Sequence, residues 1–271
     1  MDGTLGEGGH ALSILEKTSP EGKLLGIDCS PEIIENCKLK IENFKERTIL
    51  VCDNFVNLKE IVKKQNLKRV HGILFDLGLS SWHLEESGRG FSFLRRESLD
   101  MRYNPENPLT AEKIINYWLE IDIEKVLREF GEEQFSNRIA KEIIKVRKIK
   151  PIKNTLQLVE IVKGAVPSWY QHRKIHFATK TFQALRIAVN DELNNLEKVL
   201  PQTLEILNSG GRLVIISFHS LEDRIIKNFF KNQAKEGLLK ILTKKPIQPT
   251  EEEIKINPRA RSSKLRVAIK I

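Results

Sequence analysis

Long apolar runs are absent. No stretch of about 18 residues is apolar throughout, so no membrane-spanning helix is expected. No charged-then-apolar leader with a small-residue cleavage site is visible. Cysteine is scarce: Cys29, Cys37 and Cys52 are an odd number without framework spacing. They read as small core or surface residues in a reducing cytoplasm rather than as a secreted disulfide fold. Histidine offers no metal cluster, since His172 and His176 stand four apart with no third ligand evident nearby. His71, in the run-up to a strand, reads as structural. Internal repeats and low-complexity segments are missing too. With 271 residues, 40% of them hydrophobic, the chain can bury one large core, or one core with a smaller inserted one.

Acid is nearly absent from two segments. Ile139 to Lys180 carries ten Lys/Arg against Glu142 and Glu160, and Lys255 to Ile271 carries six with no acid. Of the formal net charge of +9 these segments contribute +8 and +6, which leaves the rest at −5. Two basic segments on a mildly acidic body indicate a surface that faces a polyanion. A solvated, Lys-rich helix face is the plainer alternative.

The chain opens on a glycine-rich turn, "MDGTLGEGGHA", of the kind that follows a strand and starts a helix. "KLLGIDCS" then reads as a buried strand, "PEIIENCKLKIENF" as a helix with Pro31 in its first turn, "TILVCDNF" as a strand and "LKEIVKKQN" as a helix. "RVHGILFDLGLSS" is apolar throughout, as a central parallel strand is. This alternation implies right-handed βαβ crossovers and a parallel sheet. From about Tyr103 to Lys180 the signals turn helical. Thr110 can cap "AEKIINYWL", Asp122 can cap "IEKVLREF", and Thr155 can cap "LQLVEIVKGAV". The expected organisation is therefore a catalytic domain over 1–102 and 181–271, with an inserted helical, substrate-binding domain over 103–180. After the insertion come one long helix from Thr179 to Leu207, the strand "GGRLVIISFHS", a helix "LEDRIIKNFFKNQ" and two closing strands, "LLKILTKKP" and "KLRVAIKI".

Groups suited to a nucleotide-like ligand recur at strand ends. Backbone N–H groups of a glycine turn can approach a ligand closely. Asp28 ends the next strand, where a carboxylate accepts hydrogen bonds from ribose hydroxyls. Asp53 and Phe55 follow the second strand and can flank an adenine. "FDLGLSS" ends the third. In open α/β sheets ligands bind at these carboxyl ends. The order Gly6-Glu7-Gly8-Gly9-His10, preceded by Asp2, is not the dinucleotide G-x-G-x-x-G. An acidic residue ahead of the turn suits the amine of S-adenosylmethionine instead. No phosphate-binding G-x-x-x-x-G-K-[ST] is present. An S-adenosylmethionine methyltransferase is favoured over an NAD-type oxidoreductase.

The motifs "DGTLGEGGHA", "GIDCSPE", "FDLGLSSWHLEESGRGFSF", "LDMR", "FQALRIAVNDEL", "GGRLVIISFHSLEDR" and "NPRARSSKLR" together resemble the bacterial 16S rRNA (cytosine-N4) methyltransferases, over nearly the whole chain. The resemblance implies a class I, Rossmann-like α/β methyltransferase fold with an inserted helical domain. It implies S-adenosyl-L-methionine as cofactor and, as substrate, a cytosine in the decoding region of 16S rRNA in the small ribosomal subunit. No metal and no membrane partner are implied; the oligomeric state stays open, a homodimer being one option. Matched residue by residue, the cofactor set is Gly8, Gly9, His10, Asp28, Phe55 and Asp76, with His83 standing where the family usually has Gln. In this fold a strand precedes the glycine turn, between the strands ending at Asp28 and Asp76. Almost no sequence precedes the turn here, so that N-terminal strand is expected to be missing, leaving a gap or distorted pairing.

Cytosine N4 is a poor nucleophile, because its lone pair is delocalised into the ring. The site must hold N4 in line with the methyl group and accept hydrogen bonds from the amino group. Asp76 and Ser80 stand at the right strand end, with His219 in "SFHS" as a further catalytic candidate. Methylation at C5 would call for a Cys nucleophile near these loops, and no Cys follows Cys52. Arg259, Arg261 and Lys264 are the expected RNA contacts. Trp118 and Trp169 read first as core or interface residues. Trp82 lies in the active-site loop, and Phe91 and Phe93 are either core or a stack for a flipped base. A small-molecule methyltransferase, and a nucleotide-binding module without catalysis, are the remaining alternatives.

Overall fold

The computed structural model describes residues 1–271, and the chain divides into two compact units, Met1–Ser80 with Leu193–Ile271, and Ser81–Glu192. The first unit is an α/β sheet structure. Its strands are β1 (Leu24–Asp28), β2 (Thr48–Cys52), β3 (Val70–Asp76), β4 (Leu207–Ser217), β5 (Leu239–Ile241) and β6 (Lys264–Lys270). β1 runs parallel to β2 with Asp28 opposite Cys52, and β3 runs parallel to β4 with Asp76 opposite Ile216. The sheet is mixed, not wholly parallel: β6 is antiparallel to both β4 and β5.

The first residues join the two halves of this sheet. Asp2 bridges in parallel to Gly26 on one side and to Leu74 on the other. Its N–H donates to Leu25 O at 2.8 Å, and Gly3 N–H donates to Leu74 O at 2.8 Å. The place expected for a further central strand is thus held by isolated bridges, and the pairing there is short. Alternation along β1 sends Leu25 and Ile27 into one apolar cluster, with the helices Leu58–Lys64 and Ser220–Lys235. Leu24 joins the other cluster, with Ala11, Leu15, Ile34 and Cys37 of the helices Gly9–Lys17 and Pro31–Lys40. Side chains of period two feeding both faces are what a covered sheet needs.

The second unit is helical and wider than the expected 103–180. The segment 81–102 belongs to it because its backbone is tied to the helices. Thr155 N–H donates to Glu97 O at 3.0 Å, Glu112 N–H donates to Leu99 O at 2.6 Å, and Leu99 and Met101 are buried. At the other end the expected long helix breaks. Thr179–Asn190 stops and a new helix starts at Glu192, because Asp191 turns left-handed with φ 52°. Asp tolerates that conformation better than most residues. Asn190 fixes the stop: its side-chain amide donates to Met101 O at 2.7 Å and accepts from Tyr103 N–H at 2.9 Å. Of the expected caps, Thr110 accepts from Lys113 N–H at 3.2 Å. The cap of the helix Thr155–Ala165 is Asn154, one residue before Thr155, in a capping box with Gln157. Asp122 lies in the first turn of Glu120–Gly131 rather than ahead of it.

Candidate active site

Within the first unit, the carboxyl ends of β1 and β3 and the glycine turn after Asp2 converge. Gly6 and Gly8 have φ of 50° and 75°, and Gly8 stands directly before the helix Gly9–Lys17. A Cβ on Gly8 would lie 2.6 Å from Cys37 Sγ, whereas one on Gly9 would meet nothing within 4 Å. The turn is thus pressed onto Pro31–Lys40 on one side and open at Gly9. The first-turn N–H groups of a helix have no partner within it, and here they follow straight on the open turn.

Asp28 is clamped between two loops. Its Oδ2 accepts from Gly6 N–H at 3.0 Å, and its Oδ1 from Ser30 N–H at 3.0 Å. Burial pushes its pKa up, and the N–H bonds from Ser30 and Gly6 oppose that. Cys29 N–H opposes it as well, and of a carboxylate's roughly four acceptor sites this leaves room for a hydroxyl donor. Asp76, at the end of β3, has Oδ2 3.3 Å from His10 Nε2, and its N–H donates to Thr4 Oγ1 at 2.6 Å. The hydrogen bond to Asp76 raises the His10 pKa.

Asp2 is the group that motif matching left out of the binding set. It is wholly buried, its Oδ1 accepts from Thr4 N–H at 3.2 Å, and its Oδ2 has no hydrogen-bond partner. Burial pushes its pKa up to about 7. Its position ahead of the G-x-G turn was the signal available in the sequence.

Phe55 is half-buried with its ring edge-on to Phe75 at 5.5 Å, while Asp53 is bound into its own turn through Asn54 N–H at 2.7 Å and Asn57 at 2.9 Å. Ser80 follows a tight turn in which a Cβ on Gly78 would lie 2.6 Å from the Phe218 ring. His219 caps the helix Ser220–Lys235: its Nδ1 accepts from Glu222 N–H at 3.4 Å, and its Nε2 lies 3.2 Å from Glu222 Oε1. Nδ1 thus serves as the cap, while Nε2 is buried and makes no hydrogen bond. Arg259 and Arg261 are exposed, but Lys264 shares Asp223 with Arg266, at 3.4 Å against 2.7 Å. In the second unit, His83 is buried in an aromatic cluster, 5.0 Å from Phe91, 5.1 Å from Tyr103 and 5.3 Å from Trp82. Phe91 is buried, and Phe93 stacks on His176 at 4.6 Å.

A profile of the MraW methylase family matches residues 1–271. The chain is 46% identical over 287 residues to the ribosomal RNA small subunit methyltransferase H of Heliobacterium mobile, covering all of this chain and 92% of that protein. It is 48% identical over 272 residues to the protein of the same name from Thermosipho melanesiensis, covering 100% and 90%. Against that of Dehalococcoides mccartyi it is 46% identical over 286 residues, covering 100% and 80%.

Proposed function

The chain belongs to the MraW methylase family, and from that premise we propose that it transfers a methyl group from S-adenosyl-L-methionine to N4 of a cytosine in the decoding region of 16S rRNA. The observation that carries this reading is the convergence of Asp2, Asp28 and the Asp76–His10 pair on one glycine turn. The residues suit the cofactor. Asp2 Oδ2 is a buried acceptor with nothing to accept from, which matches an ammonium or sulfonium cation. The space beside Gly9 is open where a side chain would intrude. Asp28 would hold the ribose hydroxyls, Gly8, Gly9 and His10 the amino-acid end, and Phe55 the adenine. When bound, the cofactor supplies a methyl group on a positively charged sulfur, open to in-line displacement.

The protein's part is positioning and proton handling. Asp76 Oδ2 and the Ser80 hydroxyl accept from the N4 amino group and turn its lone pair toward the methyl group, which can supply a large share of the rate. N4 loses a proton after transfer. Asp76 is the acceptor at that strand end, and His10, half exposed and raised in pKa by Asp76, links it to solvent. His219 acts as the cap that sets the loop after β4. Arg259 and Arg261 would face phosphates. The working compartment is the cytoplasm, where small subunits are found.

The test is transfer of tritiated methyl from S-adenosylmethionine to purified small subunits lacking the modification, followed by nucleoside analysis. Label in N4-methylcytidine is expected. Label in a carbon-methylated nucleoside, or none, refutes the reading.

A further inference from the structure

We propose that the helical unit carries a base-stacking platform centred on Trp169, on which an unpaired base of the RNA substrate lies flat. This rests on the reading of rRNA as substrate. Trp169 is 60% exposed, although single exposed apolar residues alone signal nothing. What sets this one apart is its mount. The indole meets Phe135 at 6.0 Å and 63° and Tyr170 at 5.7 Å and 89°, both edge-on. Neither of those rings lies parallel to the indole and covers a face. Phe135 and Tyr170 meet each other at 5.0 Å and 80°. One buried carboxylate locks both: Glu133 Oε2 accepts from the Tyr170 hydroxyl at 2.8 Å, and Glu133 Oε1 from Phe135 N–H at 2.9 Å.

Cations ring the aromatic cluster. The Arg138 guanidinium lies 5.6 Å from the Phe135 centroid and that of Arg173 5.1 Å from the Tyr170 centroid. Both arginines are exposed, and the segment Ile139–Lys180 that holds Trp169 carries +8. Rigid aromatics among Lys and Arg are the composition of single-strand binding surfaces, where bases stack and the backbone is neutralised. A protein partner would be met more often by apolar neighbours with few like charges, so RNA is the favoured occupant.

The experiment measures filter-binding affinity for a transcript of the 16S decoding-region hairpin and methylation of intact small subunits, using wild type, Trp169→Ala and Trp169→Phe. Trp169→Ala should weaken hairpin binding by roughly 5- to 150-fold, the range of one base–aromatic stack. Trp169→Phe keeps a ring face and should stay within about threefold of wild type on the same account. Affinity for S-adenosylmethionine should not change. Arg138→Ala and Arg173→Ala should each flatten the log–log salt dependence by roughly 0.7. Unchanged hairpin affinity in a folded Trp169→Ala protein, alongside normal wild-type methylation, overturns the platform and leaves the enzymatic reading intact. A loss confined to whole subunits and absent on the hairpin also overturns it, in favour of a protein contact. A wild type that does not methylate small subunits removes the reading beneath the platform.

Discussion

Asp2 should make the ligand-free protein lose stability as pH rises toward neutrality. Its carboxyl is wholly buried, one oxygen lacks a partner, and burial lifts its pKa from 3.8 to about 7. Between those values the folded chain keeps the proton and the unfolded chain has lost it. Folding then takes up a proton, so stability falls with rising pH. The stabilising share is fully present below the unfolded value and gone above the folded one. A displacement of about three units at 1.36 kcal/mol each is about 4 kcal/mol, against a typical domain stability of about 5–15 kcal/mol. Asp2→Asn cannot titrate. Its amide leaves a buried donor unpaired, which costs about 1–3 kcal/mol at every pH. The difference between wild type and variant should therefore change by up to about 4 kcal/mol between pH 4 and pH 8. Urea denaturation of both proteins, free of cofactor, across that range measures it. Parallel stability–pH curves would refute the reasoning, because they would mean that Asp2 is ionised in the fold, or solvated.

Three further outcomes follow from the same geometry. Asp28→Ala should weaken cofactor binding by about 1.5–3 kcal/mol for each charge-assisted hydroxyl bond lost, and calorimetry showing unchanged affinity in a folded variant would remove Asp28 from the site. Gly8→Ala sets a Cβ 2.6 Å from Cys37 Sγ at φ 75°. It should cost about 1–3 kcal/mol for overpacking plus about 1–2 for the left-handed backbone. Adding Cys37→Ala should recover only the packing part in thermal melts; full recovery would show that the backbone is not held in that conformation. Arg259→Ala and Arg261→Ala should each reduce the salt slope of RNA binding by roughly 0.7–0.9, and an unchanged slope in both variants would take these arginines out of the RNA interface.

The strand ends were legible because a short apolar run closing on a carboxylate is a local pattern, as in "LLGID" and "ILFD". Other features depend on partners far away in sequence. Nothing in "KLRVAIK" says that β6 runs antiparallel to β4, since a short strand reads the same in either direction. The break at Asp191 has no Gly or Pro to announce it; it is set by Asn190 reaching Met101 and Tyr103, about 90 residues earlier. Asn154 and Thr155 are both good caps, and their order alone does not decide which one takes the role. His83 sits in a motif-rich loop, yet it packs among aromatic rings of its own unit. That His219 caps the helix Ser220–Lys235 through Glu222 N–H, leaving its buried Nε2 without a hydrogen bond, is likewise seen only in the fold.

The residues that hold the proposed site are also where the fold departs from its most stable arrangement. Asp2 spends a buried acceptor on no partner. Gly6 and Gly8 give up side chains at positive φ. Asp28 carries a half-buried carboxylate whose pKa burial pushes up despite the loop N–H groups that hold it. Each would be unfavourable in a fold selected for stability alone. A cationic, hydroxyl-bearing ligand answers them together: it supplies charge to Asp2, fills the space beside Gly9 and donates to Asp28. Binding should therefore raise the unfolding midpoint by mass action and depress the Asp2 pKa, with proton release near pH 7. Calorimetry in two buffers of different ionisation enthalpy reads that release directly. Identical heats in the two buffers, with saturating binding, would place the ligand's cation away from Asp2.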